Sequence, residues 1–189
     1  VNAYADEKGV LFSSANSINI GRLFPQVAYY VSTYVSLVDN GAISEGEIFD
    51  VVVPTGNFGN ILAGYFAKKM GVPIGKLICA SNKNKVLADF FETGVYDMNR
   101  QFFTTDSPSM DILLSSNFER FLFYVAGQDA EKVAQWEKDL SETGKMAVSA
   151  EELAQLGNLK AAGSTTAKRK PSSTTYTTIT DIFWTPIRP

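Results

Sequence analysis

Apolar and polar positions change period several times along this chain, and each change marks an element. After the polar run Ser13–Asn19, the residues Leu23, Val27, Tyr30 and Tyr34 recur at helical spacing, with Phe24, Ala28, Val31, Val35 and Val38 in a second stripe beside them. So wide an apolar surface predicts a long helix packed on more than one side. Pro25 then falls in its first turn or at a kink, and Asp39-Asn40-Gly41 supplies a left-handed cap. Val51-Val52-Val53 is an unbroken β-branched run, the pattern of a strand buried on both faces, and Pro54 ends its ladder. From Phe58 the spacing turns helical again through Ile61, Leu62, Tyr65 and Phe66, up to Gly71 and Pro73. Lys76–Ala80 is a second short apolar run. Strand, helix and strand within about thirty-five residues predict a βαβ unit.

Downstream, Val86–Thr93 reads as a short helix closed by Gly94, and Tyr96–Thr105 as irregular. Ser115-Ser116-Asn117 precedes Phe118, Phe121, Leu122 and Val125 and predicts a capped helix. The segment 129–142 is amphipathic, with Val133, Trp136 and Leu140 on one side. Ser149-Ala150-Glu151-Glu152 predicts an N-cap with an acidic first turn. Over 162–175 the residues become small and polar around Lys168-Arg169-Lys170. That knot has no interleaved aromatics, so it reads as a solvated, mobile loop rather than a polyanion contact. Thr175–Trp184 reads as helix or extended segment. The whole predicts α/β architecture, a mainly parallel sheet flanked by helices, in one domain of 189 residues.

Chemistry concentrates where the first strand meets its helix. A strand, a Gly/Asn turn and a helix start leave several backbone N–H groups unpaired at one point, and the helix dipole adds positive potential. Gly56 and Gly59, lacking Cβ atoms, are expected to let an anion approach the backbone. The alternative is an ordinary turn with Asn57 as helix cap. Ser81 and Asn82 lie at the carboxyl end of the second strand, where ligands bind in open parallel sheets. Ser14, Asn16, Ser17 and Asn19 either donate to an anion or cap the long helix. The segment Pro108–Asp111 either lines a substrate or makes a structural turn.

Composition narrows the chemistry further. The chain has no histidine and one cysteine, Cys79, so Ser–His and Cys–His dyads and a structural zinc site are all excluded. A net charge of −3 argues against a nucleic-acid face. With no disulfide framework, no signal-peptide pattern and no run long enough to span a bilayer, a reducing cytoplasm is the expected setting. The chain begins with Val and is expected to be a piece of a longer polypeptide.

Four segments occur in a telling order: SANSIN (Ser14–Asn19), PTGNFGN (Pro54–Asn60), ICASN (Ile78–Asn82) and SPSMDILLSSNFER (Ser107–Arg120). Together they closely resemble threonine synthase, a pyridoxal-phosphate enzyme of fold type II in the tryptophan-synthase β-like group. The resemblance runs from about Leu11 onward and loosens after Lys145. It implies that residues 1–189 make up most of the larger domain of such an enzyme. It also implies that Gly56, Asn57, Phe58, Gly59 and Asn60 grip the phosphate of pyridoxal 5'-phosphate. From their places at a helix start and at a strand's carboxyl end, Ser17, Asn19, Ser81 and Asn82 are read as substrate-side residues. The implied reaction converts O-phosphohomoserine and water to L-threonine and phosphate. The family's Schiff-base lysine lies upstream of the SANSIN segment beside an aspartate. The Lys138-Asp139 pair here falls on the wet side of an amphipathic helix, so no catalytic residue is assigned in this chain. The isolated chain is expected to be inactive, its partners being the small-molecule substrate and the remainder of its own polypeptide. A related phospholyase acting on another phosphorylated amino acid, or a non-catalytic anion-binding module, are the competing readings.

Overall fold

The computed structural model describes residues 7–9, 16–155 and 159–163. The chain opens with α1 (Ile20–Asp39), β1 (Phe49–Pro54), α2 (Gly59–Lys69) and β2 (Ile74–Ser81). After α3 (Val86–Thr93), a short strand β3 (Val95–Asp97) and a 3₁₀ turn (Pro108–Met110) lead to α4 (Phe118–Val125) and α5 (Ala130–Thr143). Strand β4 (Lys145–Ala147), helix α6 (Ala150–Gln155) and strand β5 (Leu159–Gly163) complete the described part.

The expected βαβ unit is present. β1 pairs parallel with β2, Val52 opposite Ile78 and Val53 opposite Cys79, and β5 pairs parallel on the other side of β2. β3 and β4 form a separate antiparallel ladder, Tyr96 opposite Met146. This is an α/β fold with a parallel sheet. Ala162 and Gly163, expected at the start of a loop, are the last residues of β5. The rest of the expected loop, the segment 175–184 and Ser14 lie outside the described residues.

Two expectations about burial fail, for one reason. β1 was expected to be covered on both faces, yet its burial alternates, and Val52 is 55% exposed between buried Val51 and Val53. α1 was expected to pack on more than one side, yet only Leu23 and Tyr30 are buried. Phe24, Val31 and Val35 on its second stripe face solvent, Phe24 at 61% exposure. A β-branched run or a broad stripe records every surface that is apolar, whereas the described elements cover only one side of each.

The core explains why α2 and α4 sit where they do. Phe58, Phe90, Phe118 and Phe121 are all buried. Phe58 meets Phe118 edge-on at 5.1 Å between centroids, and Phe118 meets Phe90 at 4.9 Å in the same geometry. Such edge-to-face pairs add to the area that each ring buries. α1 joins this core through Tyr30, whose ring lies over Gly64 of α2. A Cβ on Gly64 would come 2.7 Å from the ring carbons, so α1 and α2 meet across a position that has to be small. The capping box expected before α6 forms: Glu152 accepts from the Ser149 amide at 2.7 Å, and Ser149 Oγ accepts from the Glu152 amide at 3.2 Å.

Candidate functional site

The loop from Thr55 to Asn60 joins β1 to α2 at the carboxyl end of the sheet. It enters the helix one residue later than the apolar spacing suggests. Phe58 is not helical but left-handed, at φ 64°, and α2 starts at Gly59. A non-glycine residue in that region carries backbone strain. Here the ring, 1% exposed among Phe91, Phe118 and Phe121, holds it in place. Neither Asn57 nor Phe58 caps the helix through a side chain.

The orientation of the loop's peptide planes follows from what holds its carbonyls. Ser115 Oγ donates to the Gly56 carbonyl at 2.7 Å. The Asn57 carbonyl accepts twice from Asn117, from the backbone N–H at 3.1 Å and from Nδ2 at 3.0 Å. In a planar trans peptide the C=O and the following N–H lie on opposite edges. Turning these two carbonyls toward Ser115 and Asn117 therefore turns the N–H groups of Asn57 and Phe58 the other way. Among the described residues, no acceptor meets the backbone N–H of Gly56, Asn57, Phe58, Gly59 or Asn60. Five successive free donors at a helix start are the makings of an anion site.

Gly56 also answers a packing constraint that the sequence did not show. A Cβ on Gly56 would lie 2.7 Å from the Ser109 carbonyl oxygen, 3.1 Å from Ile112 Cδ1 and 3.3 Å from Met110 Cα. The space beside Gly56 is thus filled by the 109–112 segment rather than left for a ligand. The stretch Pro108–Asp111 is accordingly a structural turn packed on the loop. At Gly59 the nearest atom to an added Cβ is Asn117 Nδ2 at 3.4 Å, an ordinary contact.

The other expected site residues divide into those turned inward and those held at the sheet's end. Asn60 accepts from Tyr30 Oη at 2.8 Å through Oδ1 and donates to Gln26 Oε1 at 3.1 Å, tying the first turn of α2 to α1. Burial raises the Tyr30 phenol well above its ordinary pKa, so it stays a donor. Asn19 accepts from the Gly21 amide at 2.8 Å and is the N-cap of α1. Ser17 meets the loop's neighbourhood through its backbone: its carbonyl accepts from Asn117 Nδ2 at 2.8 Å. Ser81 is buried at the end of β2. Cys79, two residues before it, is also buried, and desolvation pushes its thiol up to about 11 against the opposing hydrogen bonds of Thr55 and Ser81.

Asn82 belongs to a polar knot. Its Nδ2 donates to Thr105 Oγ1 at 2.9 Å and to Asp111 Oδ1 at 2.7 Å. Asn84 Nδ2 reaches the same carboxylate oxygen at 3.0 Å, and the Thr105 amide donates to Asp111 Oδ2 at 2.8 Å. Led by that amide, these donors hold the Asp111 carboxyl below its usual range. The knot fixes residues 103–112 against the end of β2, and those residues in turn press on Gly56.

The sequence pattern missed the three residues that shape the loop. Ser115 and Asn117 were expected to cap α4, yet Asn117 makes no side-chain cap bond there. Its amide is spent on Asn57 and Ser17, while Arg120 Nη1 donates to its Oδ1 at 2.6 Å. Tyr96, expected in an irregular stretch, is buried and donates to the Leu113 carbonyl at 2.9 Å. Its hydroxyl also accepts from the Ser115 amide at 3.0 Å. Every lysine whose side chain is described has a partner elsewhere, such as Lys83 over Phe103, Lys85 with Asp89 and Lys145 with Asp97. Lys138, as expected, stays on the exposed side of α5 beside Glu142.

No family model matches the chain. Individual proteins do. It is 58% identical over 126 residues to threonine synthase-like 1 of Homo sapiens, a match that takes in 66% of this chain and 17% of that protein. It is 46% identical over 144 residues to threonine synthase of Saccharomyces cerevisiae, covering 71% of this chain and 27% of the relative. The chain thus spans less than a third of the length of these relatives. Among solved structures, the PLP-bound threonine synthase of Brucella melitensis superposes with a TM-score of 0.76 at 41% identity, over 86% of this chain and 33% of that one. The yeast threonine synthase gives 0.72 at 38% identity, over 78% of this chain and 30% of that one. Over most of its length, this chain is a homologue of the threonine synthases.

Proposed function

We propose that Gly56–Asn60 hold the phosphate of pyridoxal 5'-phosphate, as part of an enzyme that converts O-phosphohomoserine and water to L-threonine and phosphate. One observation carries this reading: five successive N–H groups have no acceptor among the described residues, while their neighbouring carbonyls are held away by Ser115 and Asn117. A row of fixed backbone donors suits a phosphate, because it binds charge without adding a side chain that titrates. When bound, the coenzyme supplies an electron sink for carbon acids that no side chain here provides.

This chain's residues would then bind and orient. The free amides of the loop grip the phosphate, and the start of α2 adds its positive end. Ser17, held through its carbonyl, and Ser81-Asn82, whose side chains are buried or spent within the polar knot, would shape the substrate's side of the site rather than grip the substrate directly. Since the described lysines are engaged elsewhere, the chain by itself would hold coenzyme without turning over substrate. Measurable formation of phosphate from O-phosphohomoserine by the isolated chain would overturn that part.

The loop's role is read by titrating ¹⁵N-labelled chain with pyridoxal 5'-phosphate and, separately, with pyridoxal. The amides of Gly56–Asn60 are expected to shift with the phosphorylated form and stay still with the other. No shift with either, or equal shifts with both, would refute the assignment. A second reading is a related phospholyase acting on a different phosphorylated amino acid, since a row of backbone donors that holds the coenzyme's phosphate does not by itself select the substrate. Tighter binding of another phosphorylated amino acid than of O-phosphohomoserine would favour it.

A further inference from the structure

We propose that Asn117 is a positioning residue that couples the phosphate loop to the segment entering α1, so that an anion held at Gly56–Asn60 is sensed at residues 17–21. This rests on the loop being a phosphate site. The side chain of Asn117 is 0% exposed, and its one amide nitrogen donates to two carbonyls a long way apart in sequence: Asn57 at 3.0 Å and Ser17 at 2.8 Å. Its oxygen accepts from Arg120 Nη1 at 2.6 Å, and Arg120 Nη2 donates to the Ile18 carbonyl at 2.9 Å. One buried amide and one guanidinium therefore hold the residues just before the Asn19 cap, while the same amide fixes the plane of the Asn57–Phe58 peptide.

A buried carboxamide satisfied on both sides is stiff, because each lost bond leaves a polar atom unpaired inside the protein. If the 57–58 peptide rotates, its carbonyl leaves Asn117 and its N–H leaves the row of free donors together. The Nδ2 hydrogen that the Asn57 carbonyl accepted is then left unpaired, and the side chain that also holds the Ser17 carbonyl is free to shift. Phosphate drawing the Phe58 N–H outward does the reverse: it seats the Asn57 carbonyl on Asn117 and tightens the entry to α1. By linkage, a ligand that orders residues 17–19 also strengthens the loop's grip. Ser115, which holds only the Gly56 carbonyl, lacks the second arm.

The experiment compares the wild-type chain with Asn117→Leu, which keeps the number and branching of the side-chain atoms and removes the amide donor together with the acceptor of Arg120. Leu122→Ala is the control: it empties a buried position of α4 that makes no hydrogen bond to the loop. Each is titrated with inorganic phosphate while backbone amides are followed by NMR, and amide exchange is measured without ligand. In the wild type, phosphate is expected to move the amides of 56–60 and of 18–21 with one apparent affinity. In Asn117→Leu the affinity at 56–60 falls at least tenfold and the response at 18–21 disappears. The control loses stability and keeps both. Should Asn117→Leu not fold, Asn117→Ser, which also shortens the donor, is read in its place. An affinity within twofold of wild type with the 18–21 response retained would overturn the proposal, as would equal losses in the control. If phosphate leaves 56–60 of the wild type unmoved, the phosphate reading fails. The coupling is then judged by exchange alone: faster exchange at 57–60 and 18–21 together in Asn117→Leu but not in the control sustains it, and faster exchange at one segment only refutes it.

Discussion

Gly56 and Gly59 carry the same residue three positions apart in one loop, and the structure predicts opposite responses to an added methyl. At Gly56 the new Cβ would sit 2.7 Å from the Ser109 carbonyl oxygen and 3.3 Å from Met110 Cα. Both are backbone atoms, in a segment held down by Asp111 and Asn82. They cannot swing aside as a side-chain tip would. Gly56 is not in the left-handed region, so alanine meets no extra dihedral penalty, and the whole effect is steric. Overpacking of this kind costs about 1–3 kcal/mol, which in a chain of this length lowers Tm by about 2–4 °C per kcal/mol. At Gly59 the nearest atom would be 3.4 Å away, and the residue opens a helix, where alanine is favoured over glycine by up to about 1 kcal/mol. Gly59→Ala is therefore expected to be neutral or slightly stabilising. Urea denaturation of the two variants beside wild type reads both values. The competing idea, that both glycines stay bare only to admit a ligand, predicts no stability loss at either site and equal loss of anion binding. Equal stability of Gly56→Ala and Gly59→Ala would refute the steric account.

Three further outcomes follow from the same geometry. Phe58→Ala is expected to cost about 3–5 kcal/mol, since it empties a 1%-exposed site among three rings, and denaturation checks it; a loss below about 1 kcal/mol would mean the ring does not anchor the loop. Tyr96→Phe leaves the Leu113 carbonyl and the Ser115 amide without their shared partner, which costs about 1–3 kcal/mol; amide exchange at Ser115 and Asn57 is expected to quicken, and unchanged exchange would refute the link from Tyr96 to the loop. Asp111 has its folded pKa depressed, so its contribution is present above the unfolded value of about 3.9 and is lost as pH falls below that through the folded value. NMR of Thr105 and Asn82 across that acid range is expected to show the knot opening, and a variant Asp111→Asn to flatten the dependence.

What the amino-acid pattern made legible is local. The βαβ unit announced itself through Val51–Val53, the helical spacing after Phe58 and the run Lys76–Ala80, because each element writes its own period over contiguous residues. The caps at Asn40-Gly41 and Ser149–Glu152 did the same with single residues. β3 and β4 are three residues each, too short for alternation to register, and so the stretch containing Tyr96 looked irregular. β5 was hidden by its composition: Leu159-Lys160-Ala161-Ala162-Gly163 has little β-branched character, and only pairing with β2 makes it a strand.

The loop itself shows where such reading stops. Its anion character was visible from the strand–turn–helix order, but nothing within Pro54–Asn60 says which way the peptide planes face. That is decided by Ser115, 59 residues from Gly56, and by Asn117, which is 60 from Asn57 and 100 from Ser17. Small polar residues before a helix have two uses, to cap it or to hold another segment, and both leave the same letters in the sequence. Here the backbone of α4 goes without a side-chain cap, and the side chain works elsewhere. Phe58 completes the arrangement from the other side: its ring keeps a left-handed residue that would otherwise relax, so the peptide held by Asn117 cannot turn without drawing the ring from the core. The five free N–H groups are thus aligned by a buried amide on one side and an aromatic cluster on the other. Loss of either should release the loop.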